Sequence, residues 1–99
     1  MKEIEILVLA ANVDISKVIL RLINANEAWT ARGVTSIPEA IEHLLAGSFD
    51  LLLIGAGFSE EEELAIVEFV QSESVDTRVV KHYGGGSGLL FAEIYIALT

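Results

Sequence analysis

Three observations predict an α/β fold, a three-layer sandwich with a parallel sheet between two layers of helices. Residues 4–11 are apolar apart from Glu5, and residues 51–54 are apolar without a break. Neither run alternates as a half-solvated strand would, so both read as strands buried on two faces of a parallel sheet. The third observation is order: strand patterns alternate with capped, helix-period segments four times along 99 residues. Such βα repetition implies parallel pairing through right-handed crossovers.

The first strand, residues 4–11, is expected at the centre of the sheet. Asp14 is placed to cap the next segment, where Ile15, Val18, Ile19, Leu22 and Ile23 make an i, i+3, i+4, i+7, i+8 stripe with Lys17, Arg21 and Asn24 facing water. Residues 28–34 are short and mixed, which suits an edge strand. Ser36 and Glu39 then form a capping box with Pro38 in the first turn, and Ile37, Ala40, Ile41, Leu44 and Leu45 repeat the apolar stripe up to Gly47. The strand 51–54 is followed by a Gly55-Ala56-Gly57 turn and by a second capping box, Ser59 with Glu62, that starts a helix running to about residue 73. Glu60 to Glu63 fall on its first turn, where acids favour the positive end of the helix dipole and are expected on a solvated face. Residues 79–83 give a fourth strand, and a glycine-rich stretch leads into a last, apolar helix.

A chain of this length suits one domain, residues 1–99. It contains no cysteine, which excludes disulfides, thiol catalysis and thiolate metal sites and fits a reducing cytoplasm. The acids around Ile4 are unlike a cationic leader, and no apolar run reaches membrane-spanning length, so a soluble, unprocessed, cytoplasmic chain is expected. The net charge of −9 is uneven: residues 1–33 hold four basic and four acidic groups, and residues 34–99 hold two basic and eleven acidic. That surface repels phosphate backbones and anionic lipid, which argues against nucleic acid or membrane as a partner; it suits a basic protein patch or serves solubility alone. The apolar content, 53% with a mean hydropathy of +0.55, is high for so small a domain and points to apolar surface shared with another subunit.

The runs ILVLAANVDISKVILRLI, WTARGVTSIPEAIEHLLAGSFDLLLIGAG and DTRVV together resemble the receiver domain of two-component response regulators, over about residues 4–83. The likeness lies in the order and spacing of the elements, above all in the second helix, the turn Gly47-Ser48-Phe49-Asp50 and the apolar strand after it. It implies a flavodoxin-like fold with four strands in the order 2-1-3-4 and helices on both faces. Receivers take a phosphoryl group onto an Asp at the end of the third strand, with Mg²⁺ held by that Asp and by acids after the first. Here those positions are Gly55, Ala10 and Ala11, which offer neither a nucleophilic oxygen nor a cation clamp. The family's Ser or Thr at the end of the fourth strand matches Tyr83, and its fifth-strand Lys has no counterpart, because the chain goes directly from strand four to a last helix. The resemblance therefore implies a shortened, degenerate pseudo-receiver.

The remaining candidates are few. Gly84, Gly85, Gly86, Ser87 and Gly88 follow a strand and precede a helix, so their N–H groups could hold an anion weakly; equally, they could be a connector replacing a lost βα unit. Lys81 and His82 precede that loop and could add charge to a bound anion, or His82 could act as a general base. His43, beside Glu42, is expected in solvent; two distant histidines give no support for a transition-metal site. Asn12 and Asp14 lie near the emptied acidic positions and could keep weak cation affinity, while Trp29, Phe58 and Phe69 read as core or rim packing. The last helix has one charge, Glu93, and lacks a polar face, so Leu90, Phe91, Ile94 and Leu98 are expected to pair with a second copy. These features predict a phosphorylation-independent protein-interaction module of signalling or regulation, a homodimer without cofactor, metal or enzymatic activity. The alternatives are a small anion- or nucleotide-binding domain using the glycine loop and an enzyme acting through His82.

Overall fold

A computed structural model of the chain describes residues 4–73, 76–83 and 87–98. The elements alternate as expected: β1 (Ile4–Leu9), α1 (Val13–Asn24), β2 (Trp29–Val34), α2 (Ile37–Ala46), β3 (Leu51–Ile54), α3 (Glu60–Glu73), β4 (Arg78–Lys81) and α4 (Ser87–Leu98). The four strands are parallel in the order β2-β1-β3-β4, so β1 and β3 are central and β2 and β4 are edges. This is the flavodoxin-like arrangement. The fourth strand starts and stops earlier than predicted, at Arg78 and Lys81, and Tyr83 lies beyond it.

Strand periodicity divides the core in two. Ile6, Val8, Leu51 and Leu53 face α1 and α4, where Ile19, Ile23, Leu90 and Ile94 meet them. Leu7, Leu9, Leu52 and Ile54 face α2 and α3, against Ala40, Leu44, Ile66 and Val70. All eight strand residues are fully buried, and each contributes about 1.5–3 kcal/mol by transfer estimates.

Three local expectations are corrected. Asn12, not Asp14, caps α1: its side-chain oxygen accepts from the Ile15 N–H at 3.0 Å, while Asp14 sits in the first turn. The buried face of α1 is Ser16, Ile19 and Ile23, and the predicted Ile15 and Val18 are exposed. The rotation follows from Gly33 on β2. A Cβ there would lie 2.8 Å from Leu20 Cδ1 and 3.0 Å from Ser16 Oγ, so glycine lets the small Ser16 side of the helix approach the sheet. On α2, Leu45 is likewise exposed and His43 is half-buried rather than solvated, with the inward face reduced to Ala40 and Leu44 and flanked by Ile37 and Ile41.

Of the two predicted capping boxes, Ser59 with Glu62 forms in full, and Ser36 with Glu39 keeps the N-cap bond while the Glu39 carboxylate takes hydroxyl rather than backbone donors. Ser59 and Glu62 exchange reciprocal bonds of 3.0 and 3.1 Å. Ser36 Oγ accepts from the Glu39 N–H at 3.4 Å, and the Ser36 and Thr35 hydroxyls both donate to Glu39 Oε1 at 3.0 Å. Those hydroxyls, Ser36 first, hold the Glu39 carboxyl below its ordinary range.

The largest correction concerns α4. Leu90 and Ile94 are 1% and 0% exposed within the chain's own core, and Phe91 and Leu98 pack partly against the same cluster. The helix does find cover in the monomer, because Trp29 at the start of β2 reaches it, with its ring tilted against Phe91 at 6.1 Å and Tyr95 at 5.1 Å. Two polar contacts hold its orientation. The Arg78 guanidinium donates to the Ala97 carbonyl at 2.6 Å, satisfying an acceptor of the last turn, and His82 Nδ1 meets the Glu93 carboxylate. The large apolar residues that α4 leaves exposed are Leu89, Tyr95 and Ile96, none of them among the four predicted for an interface.

Candidate functional site

The carboxyl ends of β1 and β3 are adjacent, and the backbone carries each strand one residue further: the Ala10 N–H donates to the Val34 carbonyl at 3.1 Å and the Gly55 N–H to the Leu9 carbonyl at 2.8 Å. Ala10, Ala11 and Gly55 are thereby brought together as the resemblance implies. Ala10 is buried, Ala11 exposed and Gly55 buried. The chain is tightly closed here. A Cβ at Gly55 would lie 3.3 Å from the Ala10 Cβ, and one at Gly57 would lie 2.6 Å from the Ala11 Cβ. Gly57 also has φ +106°, a conformation that glycine adopts without the penalty of a side chain. Methyl groups packed on glycine backbone thus occupy this end of the sheet.

The side chains at these three positions do not fit Mg²⁺, which demands a near-octahedral set of oxygens. The side-chain oxygen of Asn12 is engaged as the α1 cap, and Asp14 is an exposed first-turn residue. Among the described residues no group of three or more His, Asp or Glu is placed to hold a metal ion.

Past β4, successive residues point to opposite faces of the sheet. His82 is buried on the α4 side and bound to Glu93, while Lys81 and Tyr83 lie on the α3 side, where both meet Glu63. Lys81 Nζ is 3.2 Å from Glu63 Oε1, and the Tyr83 hydroxyl donates to the same oxygen at 2.7 Å. The Tyr83 hydrogen bond is the main influence holding the Glu63 carboxyl below its ordinary range; the same contact raises the Tyr83 hydroxyl, and the Glu63 hydrogen bond raises the Lys81 ammonium.

Lys81 and His82 are therefore not joined in one anion site, since each is taken up by a different glutamate. Of the predicted glycine loop, Gly84, Gly85 and Gly86 lie outside the described residues, and Ser87 and Gly88 begin α4. Glu63 is the residue that sequence reasoning missed, because it was grouped with a solvated acidic run. Its side chain is 14% exposed and ties α3 to β4. The one available signal was its place three residues after Glu60 and four before Val67, on the side of α3 that turns toward the sheet edge.

Beside this cluster a groove of about 550 Å³ runs between α3 and the end of β4, lined by Glu60, Leu64 and Val67 as well as Glu63, Lys81 and Tyr83, with Phe58 at its base.

No family model matches the chain, and no curated protein matches it. Solved structures do. A sensor protein from Polaromonas sp. JS666 superposes with a TM-score of 0.77 at 12% identity, over 96% of this chain and 95% of that one. The signal receiver domain of an HD domain-containing protein from Pseudomonas fluorescens Pf-5 gives 0.73 at 15% identity, over 98% and 77%. A response regulator receiver protein from Pseudomonas putida gives 0.72 at 13% identity, over 98% and 81%. The fold is that of a receiver-like domain. Among the described residues no helix is long and apolar enough to cross a membrane.

Proposed function

We propose that this chain is a phosphorylation-independent, pseudo-receiver module that acts in signalling through protein contacts and catalyses no reaction of its own. The observation that carries the reading is the lining at the ends of β1 and β3: Ala10, Ala11 and Gly55 stand at the acidic positions, and the Gly55 backbone lies so near the Ala10 methyl that a Cβ would approach it to 3.3 Å. Phosphoryl transfer requires an attacking oxygen and positive charge on the developing anion, and these side chains supply neither the oxygen nor a cation site. The receiver-like scaffold is retained while its chemistry is removed, which leaves surface recognition as its use. A cysteine-free chain suits a reducing cytoplasm as the setting.

We place self-association on the outer side of α4. Leu89, Ala92 and Ile96 recur at i, i+3 and i+7 and are all exposed, and they lie opposite the buried Leu90 and Ile94. A two-fold pairing along this stripe keeps the predicted dimer helix but exchanges its contact residues.

The test of inertness is a titration of the ¹⁵N-labelled protein with Mg²⁺ and beryllofluoride. The amides of residues 10–14 and 55–59 are expected to show no saturable shift. Saturable shifts there at sub-millimolar ligand would overturn the reading.

A further inference from the structure

Beyond α3, the sheet face that carries α2 and α3 has no further helix among the described residues, and β4 is the edge strand beneath it. The groove left at this edge has two built walls. Glu60, Glu63, Leu64 and Val67 stand at i, i+3, i+4 and i+7, so one stripe of α3 forms the first wall. Lys81, the last residue of β4, and Tyr83, two residues beyond it, form the second. Phe58 and Val67 make a half-buried apolar base, whereas Leu64 and Tyr83 remain 58% and 55% exposed.

The charge around this groove is one-sided. The positive charge of Lys81 is matched by Glu63, which also accepts from Tyr83. Glu60, which lines the groove, is exposed, as is its neighbour in sequence Glu61, and residues 34–99 carry eleven acids against two bases. An apolar cleft with an uncompensated acidic rim complements an apolar side chain flanked by cations.

We propose that the groove between α3 and β4 is the docking site for one helical segment of a partner protein, presenting a bulky apolar residue between Arg or Lys residues. The proposal rests on the interaction-module reading and names the partner's chemistry. A helix fits because the α3 stripe from residue 60 to 67 rises about 10 Å at ~1.5 Å per residue, which matches two turns of a helix packed alongside it. A docked helix would continue the α2–α3 layer over the uncovered edge of the sheet. An added strand fits less well, because β4 has only four residues and carries Arg78 and Lys81 at its ends, the charged pattern that resists edge pairing.

The experiment uses the full ¹⁵N-labelled chain and two short synthetic amphipathic helices of equal length, one of leucine and lysine and one of leucine and glutamate. The lysine peptide is expected to shift amides of residues 58–67 and 81–83 saturably, with a dissociation constant on the order of 10–100 μM at low salt. The glutamate peptide is expected to shift none of them. Leu64→Asp separates a docking groove from mere charge attraction: it makes the protein more acidic yet removes the apolar contact, and it is expected to weaken the lysine peptide at least tenfold. Leu64 is exposed, so this variant keeps the wild-type urea midpoint. Equal or tighter binding by Leu64→Asp, shifts centred away from the groove, or no response to the lysine peptide would each overturn the proposal. The two readings fail separately. Uptake of beryllofluoride with Mg²⁺ removes the pseudo-receiver reading whatever the peptide does, and an inert pocket with a silent groove leaves that reading standing on another surface.

Discussion

Ile94→Asp is expected to abolish the native fold, whereas Ile96→Asp, two residues further along the same helix, is expected to fold normally and to be monomeric. Ile94 is 0% exposed and packed in the cluster formed with Ile6, Val8, Leu51 and Leu53, so a carboxylate there would be buried without a partner. Even the conservative truncation Ile94→Ala costs about 2–5 kcal/mol through lost transfer energy and the cavity left behind. That is a large share of the ~5–15 kcal/mol that holds a domain together. Ile96 is 74% exposed, on the stripe assigned to self-association, so a charge there opposes a second copy without disturbing the core. Urea unfolding reports the first effect, and light scattering coupled to size exclusion reports the second. A wild-type-like urea midpoint for Ile94→Asp contradicts the docking of α4 on the sheet. A wild-type protein that stays monomeric at high micromolar concentration removes the dimer and leaves the hetero-partner surface.

Gly57→Ala is expected to be the most costly single methyl that can be added where the chain leaves β1 and β3. Two penalties act together. The φ of +106° strains any residue with a side chain, by about 1–3 kcal/mol, and the new methyl would sit 2.6 Å from the Ala11 Cβ, an overlap that costs a further ~1–3 kcal/mol to relieve. Ala11→Gly in the same background should restore the part due to the contact and leave the backbone part, so a double-mutant cycle in urea separates the two. If Gly57→Ala is as stable as wild type, the loop after β3 does not lie against the loop after β1 as described, and the packed-pocket argument for inertness falls with it.

Which elements form, and in what order, is written locally. The apolar runs at residues 6–9 and 51–54 can be satisfied only by burial on both faces, and the N-caps Ser36 and Ser59 start helices with bonds made within four residues. The strand order 2-1-3-4 followed from the resemblance carried by those runs and is the order observed. The absence of carboxylates at residues 10, 11 and 55 was equally legible, since it is a matter of residue type alone.

Orientation was not legible, because it depends on neighbours distant in sequence. In α1 the apolar residues at 13, 15, 18, 19, 20, 22 and 23 admit more than one inward stripe, and Gly33 selects the one through Ser16 by permitting close approach. In α4 every side is apolar apart from Glu93, so the sequence by itself determined that the helix would be covered but not which side would turn inward. Only the tertiary structure decided that, through Trp29 beneath the helix, Arg78 at its last carbonyls and His82 on Glu93. The groove has the same origin. Glu63 and Tyr83 are twenty residues apart, and they meet because the crossover from β3 through α3 sets that helix above the edge strand. Short-range hydrogen bonding and hydrophobic period act within a few residues and can be read from the chain. Facing partners are chosen by packing across the sheet, where many apolar residues compete for the same burial and the shape of the opposite surface decides which of them succeed.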